Sequence, residues 1–264
     1  MKRLLIGLVA VAMMIGLPMI SWALSGANVL IVDAYGDGKI DRVIEVDPMT
    51  NNVVWEYVTE TGFWLWKAIP LTNGNIIVTM RNNSNGKIAE VNPAKQIVWQ
   101  WNNNSTSFFP NSMQKTPQGT LLFTTDDKVM ETTYPPSSNI WEFTTTGFYP
   151  TAAERLPGTG TPTYLIAEGG TWGSSNGRVS LMQSNGTILW EYTGLNFPED
   201  AARLADDSIL ITESGNNRVI KVDYDTKAII WSYGLSAMPH EAIQIANGNF
   251  LIAGSNSHFD KNHR

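Results

Sequence analysis

The chain carries three histidines and no cysteine, so its nucleophile and acid–base chemistry rests on few groups. His240 sits in Pro239-His240-Glu241-Ala242, with an acid beside it. A neutral imidazole near pH 7 serves as a nucleophile or a general base, and a neighbouring carboxylate orients it. Both Glu241 and Glu199 are candidates for that role. His258 and His263 fall in a polar tail, and the three histidines lack zinc spacing. Asp33, Asp37 and Asp41 in DAYGDGKID suggest a calcium loop, but Tyr35 stands where a ligand belongs, which favours a plain hairpin loop. The missing cysteines exclude disulfides, thiolate metal sites, Cys nucleophiles and a lipid-modified Cys anchor.

The elements that would position His240 emerge from the tryptophans. Trp55, Trp99, Trp141, Trp190 and Trp231 are spaced by 44, 42, 49 and 41 residues, in the contexts VVWEY, IVWQW, NIWEF, ILWEY and IIWSY. Each ends a unit of short apolar stretches separated by Asn/Gly/Asp turns. In the stretch from Asp200 to Tyr233, strands are predicted at 201–204, 209–213, 218–222 and 228–233. Helical periodicity is absent after residue 25. A four-stranded sheet cannot bury both faces alone, and ring packing lets each repeat cover its neighbour. The predicted fold is all-β, a β-propeller of six repeats with five to six blades. The first repeat is predicted to lack its inner strand, and the last, EAIQIANGNFLIAG (241–254), to supply only two strands.

Ahead of the repeats, Lys2 and Arg3 precede an apolar run from Leu4 to Ile20 and the small residues of Ser21-Trp22-Ala23-Leu24-Ser25. This is the pattern of a cleavable secretory signal. The domains are therefore read as a signal peptide over 1–25 and a propeller over 26–264, and the location as periplasmic or secreted. An uncleaved signal would be the only membrane attachment. The formal net charge is −6; removing Lys2 and Arg3 leaves 16 bases against 24 acids. That acidic body argues against nucleic acid as a partner.

Aligning the inner strands places Trp66, Asn111, Thr151, Glu199 and His240 at one repeat position. Lys67, Ser112, Ala152, Asp200 and Glu241 fall at the next. These positions vary and are mostly polar, and the loops entering inner strands ring the mouth of a propeller's channel, where a ligand is read. Further along come Pro70, Lys115, Arg155, Arg203 and Gln244. Three cations at one position would hold an anion, unless they pair with acids of adjacent blades such as Glu154 or Asp200. Arg81, Arg178 and Arg218, at turns into third strands, are read as solvated or stacked on outer aromatics.

The succession of NGN, ILIT, NNRVIKVD and IIW resembles arylsulfotransferase-like propellers and the related quinoprotein (PQQ-type) repeats. DPMTNNVVW (47–55) is similar to the quinoprotein tryptophan motif. The quinoprotein resemblance implies a pyrroloquinoline quinone site with bound calcium, but the chain lacks a Cys pair to cap the quinone. The arylsulfotransferase resemblance implies a channel histidine that accepts a sulfuryl group and passes it to a phenol. His240-Glu241 matches that arrangement, while the family's other channel histidines are missing. Two functional readings follow. One is an exported binding module for a small molecule, glycan or protein at the channel face, with neither cofactor nor metal. The alternative is a sulfuryl-transfer enzyme using His240 and Glu241. A third reading makes the chain one module of an envelope assembly, its open last repeat completed by a partner strand.

Overall fold

The computed structural model describes residues 22–25, 28–33, 41–102, 108–158, 160–245 and 247–255. Its strands form six sheets. Blade one comprises β1 (Trp22–Ser25), β2 (Asn28–Asp33), β3 (Arg42–Val46) and β4 (Val53–Val58). Blade two comprises β5 (Trp64–Pro70), β6 (Ile76–Arg81), β7 (Gly86–Val91) and β8 (Ile97–Trp101). Blade three comprises β9 (Met113–Lys115), β10 (Leu121–Thr124), β11 (Lys128–Thr132) and β12 (Asn139–Thr144). Blade four comprises β13 (Tyr149–Arg155), β14 (Thr163–Gly169), β15 (Gly177–Gln183) and β16 (Ile188–Leu195). Blade five comprises β17 (Pro198–Arg203), β18 (Ile209–Glu213), β19 (Arg218–Val222) and β20 (Ile229–Gly234). The sixth sheet holds two strands, β21 (Met238–Gln244) and β22 (Phe250–Ser255). Within every sheet, neighbouring strands run antiparallel in chain order, and successive inner strands contact one another.

Among the described residues the protein is thus an all-β propeller, with five four-stranded blades and a two-stranded sixth sheet. One expectation is corrected: the first repeat does have an inner strand. β1 pairs with β2 in the register Trp22↔Ile31 to Ser25↔Asn28. Its sequence, WALS, lies in the stretch read as a leader, which is why the repeat pattern did not include it.

The strand patterns follow from position in the blade. Second strands lie between two sheet neighbours and two adjacent blades, so they are apolar on both faces; β18 (ILITE) is buried at every residue. Outer strands alternate, as in β12 and β20, with the tryptophan facing in. Buried apolar residues divide into six clusters, one for each junction between neighbouring blades. The sixth closes the ring, bringing Val29, Ile31 and Ile44 of blade one against Leu251 and Ala253 of the last sheet.

The phased tryptophans bridge blades. The Nε1–H of Trp55 donates to the Pro93 carbonyl at 2.9 Å, Trp141 to Ser184 at 2.9 Å and Trp190 to Tyr224 at 2.8 Å. Each acceptor lies in the turn before the outer strand of the next blade. Trp99 tilts against Tyr134 of blade three, and Trp231 against Phe250 of the last sheet.

Candidate functional site

Four of the five residues aligned at one repeat position share a structural cause. The ladder between first and second strands slips by one residue at Trp66 in β5, Thr151 in β13, Glu199 in β17 and His240 in β21. Each is the extra residue of a β-bulge, a device that re-aims a side chain beside functional sites. These positions therefore lie within the inner strands, not in the loops entering them, as the sequence alignment implied. Proline contributes to the slip. Pro150, Pro198 and Pro239 directly precede three of the bulged residues, and Pro110 precedes Asn111. A proline has no N–H to give the ladder.

Hydroxyl groups pin the bulges to the neighbouring blade. Thr79 Oγ1 accepts from the Lys67 N–H at 2.9 Å and donates to the Asn111 carbonyl at 3.4 Å. Thr124 Oγ1 repeats the device one blade on, between the Ser112 N–H at 3.1 Å and the Thr151 carbonyl at 3.3 Å. Thr151 Oγ1 reaches the Pro198 carbonyl at 2.8 Å, and Ser214 Oγ donates to the Pro239 carbonyl. These positions are therefore held on strands rather than on free loops.

Three groups of side chains form there. In the first, His240 Nδ1 lies 2.9 Å from Glu199 Oε1, and Nε2 lies 2.8 Å from Ser255 Oγ. A carboxylate only accepts, so the neutral ring carries its proton on Nδ1 and accepts the Ser255 hydroxyl proton at Nε2. His240 is 8% exposed and Ser255 is 3% exposed. Of the two acids proposed to orient the imidazole, Glu199 does so. Glu241 faces another way, forming an ion pair with Lys67 at 2.7 Å.

That ion pair belongs to the second group, with Asp200 and Glu154. Burial first, and the Glu241 carboxylate second, push Asp200 up to about 7 against the pull of Lys67. Burial also raises Glu154, opposed by the Arg203 backbone N–H, which donates to it at 3.2 Å. The third group is aromatic and polar. The Arg81 guanidinium lies 3.3 Å from the Trp66 ring centroid and donates to Asn111 Oδ1 at 2.7 Å. Asn111 Nδ2 donates to the Tyr149 hydroxyl at 3.3 Å, and that hydroxyl donates to Asp126.

The cations of the next position are engaged in the blade walls. Arg155 pairs with the fully buried Glu131 of blade three, which also accepts from the Tyr164 hydroxyl at 2.6 Å. Arg203 pairs with Asp207 at 3.1 Å and lies 4.7 Å from the Tyr224 ring centroid. Lys115 sits 3.9 Å from the Tyr134 ring centroid and donates to the Gly119 carbonyl; burial lowers its pKa. Among the turn arginines, Arg178 and Arg218 pair with the buried Glu168 and Glu213. Arg81 stacks on an inner aromatic rather than an outer one. Asp33 pairs with Arg42 at 2.7 Å, and Asp41 accepts the Leu65 N–H at 3.0 Å. Asp37, His258 and His263 lie outside the described residues.

Sequence alignment missed Ser255, Arg81 and Tyr149. Ser255 follows the position paired with the residue before the bulge, as Ser214 does in blade five. That repeat correspondence was the available signal.

Several known proteins are similar to the chain. The profile of the family described as PQQ_2, outer membrane protein assembly factor BamB, matches residues 175–261. A Bacteroides caccae protein of unknown function, known from its crystal structure, is similar with a TM-score of 0.69 and 14% identity, over 89% of this chain and 86% of that one. Selenomethionine-substituted virginiamycin B lyase from Staphylococcus aureus gives 0.59 and 14%, over 90% and 85%. A catalytically inactive histidine-to-alanine variant of that lyase with quinupristin gives 0.59 and 15%, over 91% and 85%. No curated protein sequence matches significantly. The fold is a β-propeller whose residues 175–261 match a PQQ-type repeat model, and among the described residues no helix is long and apolar enough to cross a membrane.

Proposed function

We propose that the protein is an exported binding module that takes a small molecule, a glycan or a segment of protein at its channel mouth. The observation that carries this reading is the shared bulge. Four inner strands slip at the same repeat position, and each presents a different side chain there: Trp66, Thr151, Glu199 and His240. A purely architectural position in a repeat protein tends to keep one residue type, as the phased tryptophans do. The mouth pairs an aromatic side, Trp66 with Tyr149, with an ionisable side around Lys67, Asp200, Glu241 and His240. Such a surface suits a ligand with one flat or apolar face and one polar face. The cations Lys115, Arg155 and Arg203 support the mouth from the walls.

Export to the periplasm or beyond is supported by the basic start, the apolar run and the small residues up to Ser25, and by the outer-membrane family whose profile matches the C-terminal third. Expression of the full chain in a bacterium, followed by fractionation and intact mass, tests it. A mature N-terminus at Leu24 or Gly26, which would shorten or remove the strand Trp22–Ser25, is the expected result, and full-length protein in the cytoplasm the contrary one.

The binding reading is tested by presenting a metabolite and glycan mixture to the folded protein and identifying what is retained by native mass spectrometry. Retained compounds are then offered to a Trp66→Ala, Glu199→Gln double variant. Loss of retention supports the mouth as the site. Equal retention by the folded variant moves the site elsewhere.

The alternative, sulfuryl transfer through His240, is less well supported. Both ring nitrogens already have partners, and the cations that would hold a sulfate pair elsewhere. Turnover of an aryl sulfate with a phenol acceptor, abolished by His240→Asn, would reinstate it. Virginiamycin B lyase offers a precedent for a propeller whose catalysis a histidine replacement abolishes, though at 15% identity the likeness is one of fold.

A further inference from the structure

The Glu199, His240 and Ser255 chain has a chemical meaning beyond binding. A hydroxyl, an imidazole and a carboxylate lie in line, with the hydroxyl on Nε2 at 2.8 Å and the carboxylate on Nδ1 at 2.9 Å. Those contacts lie within the range in which a base takes a serine proton and a third group fixes the base's tautomer. The three residues come from different segments: Glu199 from blade five, His240 from the bulge of β21 and Ser255 from the end of β22. The bulge itself aligns them. Without the slip between Pro239 and Glu241, His240 would occupy a ladder position. The Pro239 carbonyl is also fixed by Ser214 Oγ, which holds the backbone next to the imidazole.

We propose that Ser255 is a nucleophile, activated by His240 with Glu199 as the positioning carboxylate, and that it accepts an acyl group from a carboxylic ester at the channel mouth. Ser255 Oγ attacks the ester carbonyl carbon, forming a C–O bond as its proton passes to His240 Nε2. The resulting imidazolium stays paired with Glu199. Collapse of the tetrahedral adduct breaks the bond to the ester's alkoxy oxygen, which leaves with the proton from Nε2. Water then attacks the acyl-serine by the same relay, its proton going to Nε2 and on to Ser255 Oγ, and a carboxylic acid departs. The surroundings set the substrate's charge. Asp200 and Glu241 lie with Lys67, and Glu199 with His240, so the carboxylates beside the imidazole favour a neutral or cationic ester over an anionic one.

The test uses an uncharged alkyl fluorophosphonate, whose phosphorus takes the place of the carbonyl carbon and whose fluoride leaves. Intact mass and peptide mapping read the product. The expected result is one adduct per chain, on Ser255, absent in Ser255→Ala. In Glu199→Gln the labelling rate should fall by about tenfold or more, since the wrong tautomer is then favoured. Ser232→Ala, on an exposed outer strand, serves as the control and should label as the native protein does. Because replacing a buried histidine endangers folding, the Glu199→Gln rate is the deciding measurement, with circular dichroism confirming the fold. Folded native protein that takes no adduct, takes it elsewhere, or labels Ser255 equally fast in Glu199→Gln overturns the proposal. None of these outcomes touches the binding reading, which stands or falls on the retention experiment.

Discussion

Asp200→Asn should favour the stability of the protein more at alkaline pH than in acid. The Asp200 carboxyl lies among Glu241, Glu154 and Lys67, and its pKa is raised from 3.8 to about 7 in the folded chain, by burial first and by Glu241 second. The folded state therefore binds the proton more tightly than the unfolded state. The stability this proton contributes is fully present below the unfolded pKa and is lost as pH rises through about 7. At 1.36 kcal/mol per unit, the shift sets a ceiling of about 4 kcal/mol between the two limits. Asp200 is only partly buried by surface area, and Lys67 relaxes toward a second carboxylate, so on the order of 1–2 kcal/mol should survive. Asparagine resembles the protonated acid and does not titrate. Urea denaturation of both proteins at pH 5 and pH 8.5 isolates the effect, because the other titrating groups nearly cancel in the difference. The variant's advantage over the native protein should be about 1–2 kcal/mol larger at pH 8.5 than at pH 5. A difference that is the same at both pH values would show that Asp200 does not hold a proton in the folded mouth.

Trp190→Ala should cost about 3–5 kcal/mol in chemical denaturation, because the indole is 6% exposed and packs between blades four and five. Trp190→Phe keeps most of that packing and loses the hydrogen bond to the Tyr224 carbonyl, so it should cost distinctly less than alanine; equal losses would mean that the indole N–H, not the ring, carries the junction. Glu131→Ala should lower stability by about 3–5 kcal/mol, since it strands the largely buried Arg155 and the Tyr164 hydroxyl. A loss under about 1 kcal/mol in the same assay would show that the ion pair contributes no more than a surface contact.

Much of the architecture was legible in the sequence because a propeller repeats one physical problem six times. Trp55, Trp141 and Trp190 recur in phase because each indole reaches the turn of the next blade, and Trp99 and Trp231 occupy the same phase with ring contacts to the next sheet. The equivalence of Trp66, Asn111, Thr151, Glu199 and His240 followed from the same phase. What escaped the reading was contact between units, which repeat alignment does not encode. Arg155 finds Glu131 across a blade junction; which of Glu199 and Glu241 orients His240 was likewise left open, and Ser255, in the same sheet as His240, was missed. The strand Trp22–Ser25 escaped for a different reason: its composition fits an export segment as well as an inner strand. The bulges were within reach, since four of the five aligned residues follow a proline.

The same bulges explain why a costly group of polar residues persists at the centre of the ring. Ionisable groups near a low-dielectric wall penalise folding unless they are paired. Here the penalty falls on the inner strands, while the apolar load is carried by the six junctions between blades. Threonine and serine hydroxyls then lock each bulge to the next blade, so the mouth keeps its geometry without large side chains packing behind it. On that argument, a bulge residue can change from Trp66 to Thr151 to His240 without disturbing the core. Such tolerance would let one repeat position differ in chemistry from blade to blade.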